Sequence, residues 1–247
     1  MYGGLTTPYQ SWVAEQFEVK ERPLDNPLIV HVSSIDQVYE VAEVNEIAER
    51  LIKAFFPGPL TLVMKKKEIV PHETTANLDT VGVRMPDHKV ALKLIKLSET
   101  PIAAPSANLA GKPSPTKFEH VLADLNGKIE AIVVGETSIG LESTVVDTTV
   151  YPVKILRPGA ITPEMLKEFV DVEIHKGKES KPKSPGMKYK HYSPDAELYV
   201  FVGEGVKKKI KEFANSLIEK GFKVGLAVSN AREYAVSYTH LTLPTKA

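Results

Sequence analysis

The sequence contains no cysteine, which excludes disulfides, thiolate nucleophiles and zinc–thiolate sites together. Its seven histidines show no HExxH-type spacing, so any metal must be held by oxygen ligands or arrive with a substrate. No run of about 18 apolar residues is present to span a bilayer. The opening MYGGLTTPYQS has neither the basic nor the apolar region of a signal peptide. A cytoplasmic globular protein with no membrane partner is expected. A charge imbalance is also lacking: 31 Lys and Arg stand against 31 Asp and Glu, so a nucleic-acid partner would need a local basic patch.

What is present is enough for one sizeable core plus a smaller second unit: 247 residues, 43% of them hydrophobic. Short β-branched runs at Pro27–Val32, Leu60–Lys65, Thr80–Met85, Ile102–Pro105, Ala131–Gly135, Ser143–Asp147, Val153–Leu156 and Val170–Ile174 read as strands. The clearest helix is expected over Ile35–Phe55, with Ile35, Val38, Val41, Ile47, Leu51, Ile52 and Phe55 on one stripe. Shorter helices are expected at Lys89–Leu97, Lys117–Leu125 and Pro163–Phe169. The fold class is therefore α/β. Several strands are too close in sequence for a helical crossover, which predicts a twisted mixed sheet rather than a parallel one.

Over Lys176–Pro194 the periodicity disappears and Lys, Ser and Pro dominate, which marks a linker. A strand–helix–strand unit over Glu197–Val202, Gly205–Lys220 and Lys223–Ser229 follows, and one such unit cannot cover both faces of a sheet. The expected organisation is a first domain over 1–175, a linker over 176–196, and a partial Rossmann-like βαβ domain over 197–236. The closing SYTHLTLPTKA continues neither pattern, and 237–247 is set apart as a non-native tail.

Arginine is scarce, only five of the 31 basic residues, and its placement carries information. Arg22 in KERP, Arg84 in VGVRMP and Arg157 in ILRPG all sit where a strand-like run meets a proline. Proline ends a ladder and biases the preceding residue to extended geometry, which puts Arg22 and Arg157 at strand ends or in the loops beside them. Guanidinium is favoured where an oxyanion must be gripped in bidentate geometry, so three such placements point to one anion-rich pocket. Each arginine taken singly is explained as well by a surface ion pair. Lys20, two residues before Arg22, would point the same way in an extended segment and present a second cation to a phosphate chain. On a helix the two would diverge.

Ser106 and Asn108 in PIAAPSAN repeat this spacing with neutral donors suited to one phosphate or to seating Mg²⁺, and a simple Ser/Asn turn is the competing account. Ser143 and Thr144 in GLESTVVD stand at the start of an apolar run, where hydroxyls act as caps or as ligands. Common nucleotide motifs fail. GETSIGLES has no Lys-Ser/Thr after its glycines and VGEGVKKK has no third glycine, so any ATP must be held by scattered strand-end side chains.

Seven ordered blocks, KERPLDNPLIVHV, FFPGPLTLVM, VGVRMP, PIAAPSANLAGKPSPT, GLESTVVD, ILRPGAIT and SPGMKYKHYSP, resemble those of the YrdC-like threonylcarbamoyl-AMP synthases. The last block resembles the two-domain subtype. The resemblance implies a nucleotidyltransferase. L-threonine and bicarbonate form a carbamate that attacks the α-phosphate of ATP, with Mg²⁺, to give threonylcarbamoyl adenylate and pyrophosphate. A separate transferase then passes the group to an adenosine beside a tRNA anticodon. By motif position, the resemblance implies that Lys20 and Arg22 hold phosphates, with Ser106 and Asn108 completing the cradle. It implies that Arg84 clamps the threonine carboxylate with His31, Thr61 and Thr144 nearby, and that Ser143, Arg157 and Ser184 contact the nucleotide. His191 and Tyr192 would belong to a linker covering the site.

The family's opening block, similar to FPTETVYGLG, has no counterpart in this sequence, with Tyr2-Gly3 as its nearest remnant. A chain that starts at Met1 is expected to lack part of the threonine wall and to turn over weakly or not at all. Two other readings compete. A non-enzymatic RNA-binding module is motivated by the Lys-rich stretch Lys176–Lys190. A carbamoyl-transferring maturation factor with the same domain would normally carry zinc-type Cys motifs, which this chain lacks.

Overall fold

The computed structural model describes residues 18–20, 22–135, 137–175, 183, 185, 196–228 and 239–242. The chain divides into two compact units, Met1–Pro194 and Asp195–Ala247. Among the described residues no helix is long and apolar enough to cross a membrane.

The first unit is built on an eight-stranded mixed sheet. In chain order its elements are β1 (Ile29–His31), α1 (Ile35–Val41), β2 (Ala42–Glu43), α2 (Glu46–Phe55), β3 (Leu60–Lys66), β4 (Thr80–Arg84) and α3 (Lys89–Leu97). They continue with β5 (Ile102–Ala104), α4 (Phe118–Leu125), β6 (Thr144–Asp147), β7 (Val153–Arg157), α5 (Pro163–Lys167) and β8 (Val172–Ile174). The strand order is β5-β1-β4-β3-β6-β7-β8, with β2 paired to β3. Parallel ladders (β1–β4, β3–β6, β7–β8) alternate with antiparallel ones (β1–β5, β3–β4, β6–β7), as the short connections require.

Alternation along the strands separates a core face from a working face. In β4 the burial of TVGVR alternates, so Val81 and Val83 enter the core while Thr80, Gly82 and Arg84 face the other way. Val30, Leu62, Met64, Val146 and Ile155 join them, packed with Val38 and Val41 of α1 and Ala48, Leu51 and Ile52 of α2. Burying each Val or Leu of this set contributes about 1.5–3 kcal/mol. On the opposite face, register partners line up across the sheet. His31 stands beside Arg84, Thr61 lies one step beyond the Leu62–Val83 pair, Thr61 stands beside Val145, and Val145 beside Arg157. A bulge between Val145 and Val146 makes Arg157, rather than Leu156, the partner of Val145. Ile155 stays with the core, and the inserted residue re-aims Arg157 toward the working face.

Three expectations are corrected. The helix expected over Ile35–Phe55 is two helices, because Ala42 and Glu43 are extended and pair with Lys66 and Lys65 of β3. The apolar stripe already breaks phase there, with five residues between Val41 and Ile47. Asn45 starts the second helix as its cap, accepting from the Ala48 amide at 2.8 Å and donating to the Thr148 carbonyl at 2.8 Å. Ala131–Gly135 is not a strand. Val133 and Val134 are 67% and 75% exposed and pair with no ladder. Glu197–Val202 is likewise not a strand.

The second unit contains α6 (Val206–Glu219), β9 (Gly225–Val228) and β10 (Thr239–Thr242), the last two paired in parallel. Ala214 and Leu226 form its small core with Ile210 and Val224. Tyr199 meets Phe213 edge-to-face and Phe201 meets it at a tilt, with ring centroids 4.7 Å and 5.5 Å away, so the alternation that suggested a strand instead seats two aromatic rings on α6.

Candidate active site

The row of side chains on the working face opens into a cleft of about 610 Å³. Arg22, Arg84 and Arg157, 135 residues apart from first to last, all line it together with His31, Ser106 and Ser143. Each guanidinium is aimed by backbone carbonyls. Arg22 donates through Nε to Asn26 at 3.2 Å and through Nη2 to Pro27 at 2.8 Å, inside the turn that Pro23 begins. Arg84 donates through Nε to Gly58 at 3.1 Å, which leaves its fork directed at the cleft. Arg157 is buried and donates to the Ser143 carbonyl through Nε at 3.1 Å and Nη2 at 2.9 Å.

The hydroxyls divide into two sets. Thr61 Oγ1 and Ser143 Oγ are 2.7 Å apart, and the Ser143 hydroxyl also accepts from Arg157 Nη2 at 3.1 Å, so these two belong to the arginine network. Thr144 is engaged elsewhere: its hydroxyl donates to the Ile161 carbonyl at 2.7 Å and accepts from the Ile161 amide at 3.0 Å. That bond ties β6 to the segment after β7 and turns the Thr144 side chain away from the cleft lining.

Lys20 is 6% exposed, and its ammonium donates to the backbone carbonyls of Ser106 and, at 2.5 Å, Asn108. Lys20 therefore fastens the loop whose Ser106 hydroxyl reaches the cleft. Asn108 is buried and donates to Leu109 at 2.8 Å and Lys112 at 3.0 Å, holding the same loop from within. Its Oδ1 has no protein partner. Asp124 of α4 closes the loop's far side, accepting from the Leu109 amide at 3.1 Å and pairing with Lys112 at 2.8 Å.

Burial and crowding of like charge set the electrostatics. Burial, with Arg22 next to it, pushes Lys20 down to about 8, against the pull of Glu142 and Asp124. Burial lowers Arg22 to about 10, opposed by Glu142 and assisted by Arg157. Arg84 is lowered by burial and by Arg157. His31 falls to about 4 through burial and the neighbouring Arg84, so it is neutral near pH 7. In each case burial is the largest cause, so the cleft holds its cations at a desolvation cost.

Glu142 was overlooked in the sequence, although it stands in the GLEST block beside the two hydroxyls that were singled out. It pairs with Arg157 through Oε2 and accepts from the Ser114 hydroxyl through Oε1 at 2.5 Å. The cue was available: a single acid in a segment otherwise supplying donors to an arginine-rich pocket. Ser184, His191 and Tyr192 lie outside the described residues. Pro185 accepts from Arg157 Nη1 at 3.4 Å, and Lys183 pairs at 2.9 Å with the buried Asp147.

Residues 4–159 match the model of the Sua5–YciO–YrdC family, described as telomere recombination, and residues 161–245 match that of the threonylcarbamoyl-AMP synthase C-terminal domain. A threonylcarbamoyl-AMP synthase of Pyrococcus abyssi is 49% identical over 241 residues, covering 94% of this chain and 71% of that protein. One from Bacillus subtilis is 44% identical over 248 residues, covering 96% and 71%. The crystal structure of P. abyssi Sua5 complexed with L-threonine is similar with a TM-score of 0.90 at 45% identity, covering 99% of this chain and 73% of that one.

Proposed function

The chain belongs to the Sua5–YciO–YrdC family, and from that premise we propose that it is a threonylcarbamoyl-AMP synthase using L-threonine, bicarbonate and ATP. The observation that carries the reading is the convergence of Arg22, Arg84 and Arg157 with two serine hydroxyls on one cleft. A carbamate, an amino-acid carboxylate and a triphosphate repel one another, and guanidinium groups fixed by backbone carbonyls offset that repulsion before the reactants arrive.

In this reading the fork of Arg84 takes the threonine carboxylate. Neutral His31, its Nδ1–H committed to the Ile29 carbonyl at 3.1 Å, offers Nε2 as an acceptor beside it. Arg22 and Ser106 take phosphate oxygens, and Lys20 holds the Ser106 loop in place. The carbamate oxygen then attacks the α-phosphorus while the bond to the β-phosphate breaks, so pyrophosphate leaves with its electron pair. The reaction is a nucleotidyl transfer, and no protein nucleophile is needed. Arg157, joined to Ser143 and Glu142, lies where charge builds on the leaving group.

Among the described residues no three His, Asp or Glu side chains gather as a metal cage. This donor set fits a Mg²⁺ held chiefly by phosphate oxygens and water, with the Ser106 hydroxyl as the protein ligand within reach. When bound, Mg²⁺ neutralises charge on the phosphates. The product is a reactive adenylate, to be consumed by a transferase acting on tRNA in the cytoplasm.

The test is formation of threonylcarbamoyl adenylate and pyrophosphate by the purified protein, followed by chromatography and mass spectrometry. Omission of threonine, bicarbonate or ATP should each abolish both products. Pyrophosphate released without threonine would show a simple ATPase and overturn the reading.

A further inference from the structure

Resting on the reading above, we propose that Glu142 is a built-in counter-charge: it sits within the arginine cluster of the cleft and weakens the grip on pyrophosphate, so that the product leaves. Glu142 comes from the segment that leads into β6 and lines the same cleft as Arg22, Arg84 and Arg157. One carboxylate oxygen is paired with Arg157 Nη1 and the other accepts from Ser114 Oγ at 2.5 Å, so the group is held at a definite place. A pyrophosphate seated on these arginines meets that carboxylate directly.

Two roles are open to such a residue, placing Arg157 or repelling the anion, and the geometry separates them. Arg157 is already fixed without Glu142, by Nε at 3.1 Å and Nη2 at 2.9 Å to the Ser143 carbonyl and by Nη2 at 3.1 Å to the Ser143 hydroxyl. Those bonds persist when the acid is neutralised. What changes on loss of the charge is the balance of the cleft. Glu142 opposes the depression of Lys20, Arg22 and Arg84 alike, which places it in the field of all three. Arg22 and Arg157, which face the phosphates in that reading, also retain the pyrophosphate made from the triphosphate. Binding both equally tightly slows turnover without helping the chemical step. A fixed carboxylate lowers affinity for the free product, and the larger substrate offsets the same loss through its nucleoside contacts.

The variants are Glu142→Gln, which keeps an acceptor for Ser114, and Glu142→Ala. Inorganic pyrophosphate is titrated calorimetrically into each, with circular dichroism melts verifying the fold. Removing one unit of negative charge from the arginine cluster is expected to tighten pyrophosphate binding by about tenfold in both. In Glu142→Gln the steady state should slow relative to the first turnover, and added pyrophosphate should inhibit at lower concentration. A folded variant that binds pyrophosphate no tighter than wild type overturns the proposal. A wild-type protein that forms no adenylate would instead count against the reaction assigned above, and the titration would still decide the role of Glu142.

Discussion

Arg157 and Ser143 are joined three times, twice from the guanidinium to the Ser143 carbonyl at 2.9 Å and 3.1 Å and once to its hydroxyl at 3.1 Å. The planar fork of arginine is what allows three bonds from one head group, and an ammonium cannot reproduce it. Arg157→Lys should therefore lose about 2 kcal/mol of stability, because the half-buried Glu142 and the Ser143 carbonyl keep only an ill-placed partner. Urea denaturation measures the loss, and the thermal shift on adding ATP should disappear. Unchanged stability would mean that the network is incidental.

Gly159 supports that network from behind. A Cβ there would lie 2.5 Å from the Glu142 carbonyl oxygen, 2.5 Å from the Thr144 nitrogen and 2.8 Å from the Ser143 carbonyl carbon. All three atoms are backbone, so the strand entry itself must move. Gly159→Ala should cost about 1–3 kcal/mol and displace Ser143 from Arg157. The check is a melt together with the ATP-induced shift, and a fully active, equally stable variant would refute the close packing.

The strand runs, the mixed sheet and α3 were legible because each rests on local signals: β-branched residues, short connections, an unbroken apolar stripe. The arginines were legible through the prolines that follow them. What stayed hidden depends on distant partners. Ala131–Gly135 has strand composition but no neighbour to pair with, and its valines instead border the cleft. Ala42 and Glu43 leave the helix because β3 offers a ladder. The bulge that turns Arg157 is set by the register of β6 against β7, which no spacing within either strand reveals. The same holds for Lys20: its spacing from Arg22 suggested two parallel phosphate ligands, whereas burial gives it two carbonyls to hold.

Arg84 and Arg22 should be separable by kinetics. Arg84 stands in register with His31 on the part of the row assigned to the amino acid, whereas Arg22 lies in the turn before β1. Arg84→Ala is expected to raise the KM for threonine by at least about tenfold, the loss of one charge-assisted bidentate pair, with the KM for ATP changed less. Arg22→Ala should do the reverse. Equal effects on both substrates in both variants would erase the division of the cleft into two subsites.

Lys20 makes stability rise with pH on the alkaline side. Its folded value of about 8 lies below the ordinary 10.5 of a lysine, so between these the unfolded chain holds the proton more firmly. Below pH 8 the folded protein bears the full cost of a buried ammonium, and that cost is relieved as pH climbs toward 10.5. Denaturation from pH 7 to 10 should show a rise that Lys20→Met lacks. Pyrophosphate should flatten it too, because a bound anion restores the charged form.

His31 acts in the same direction on the acid side, where stability also rises with pH. It lines the cleft beside Arg84, with Nδ1–H donated to the Ile29 carbonyl, and its folded value is about 4 against 6.5 for the free side chain. Above pH 6.5 the ring is neutral in both states and folding is unhindered. As pH falls from 6.5 toward 4 the unfolded chain takes up a proton that the folded site refuses, because burial and the Arg84 charge both resist a second cation. Stability should fall over that window by up to about 3 kcal/mol. His31→Gln, which keeps a hydrogen-bonding side chain but cannot protonate, should remove most of this fall, and paired denaturation curves at pH 7 and pH 4.5 measure the difference. Threonine affinity should meanwhile stay flat from pH 8 down to pH 6, since the ring beside the carboxylate clamp does not change its charge there. A step in affinity centred near pH 6.5 that His31→Gln abolishes would show that the ring titrates as it does in water and that Arg84 is not close enough to suppress it.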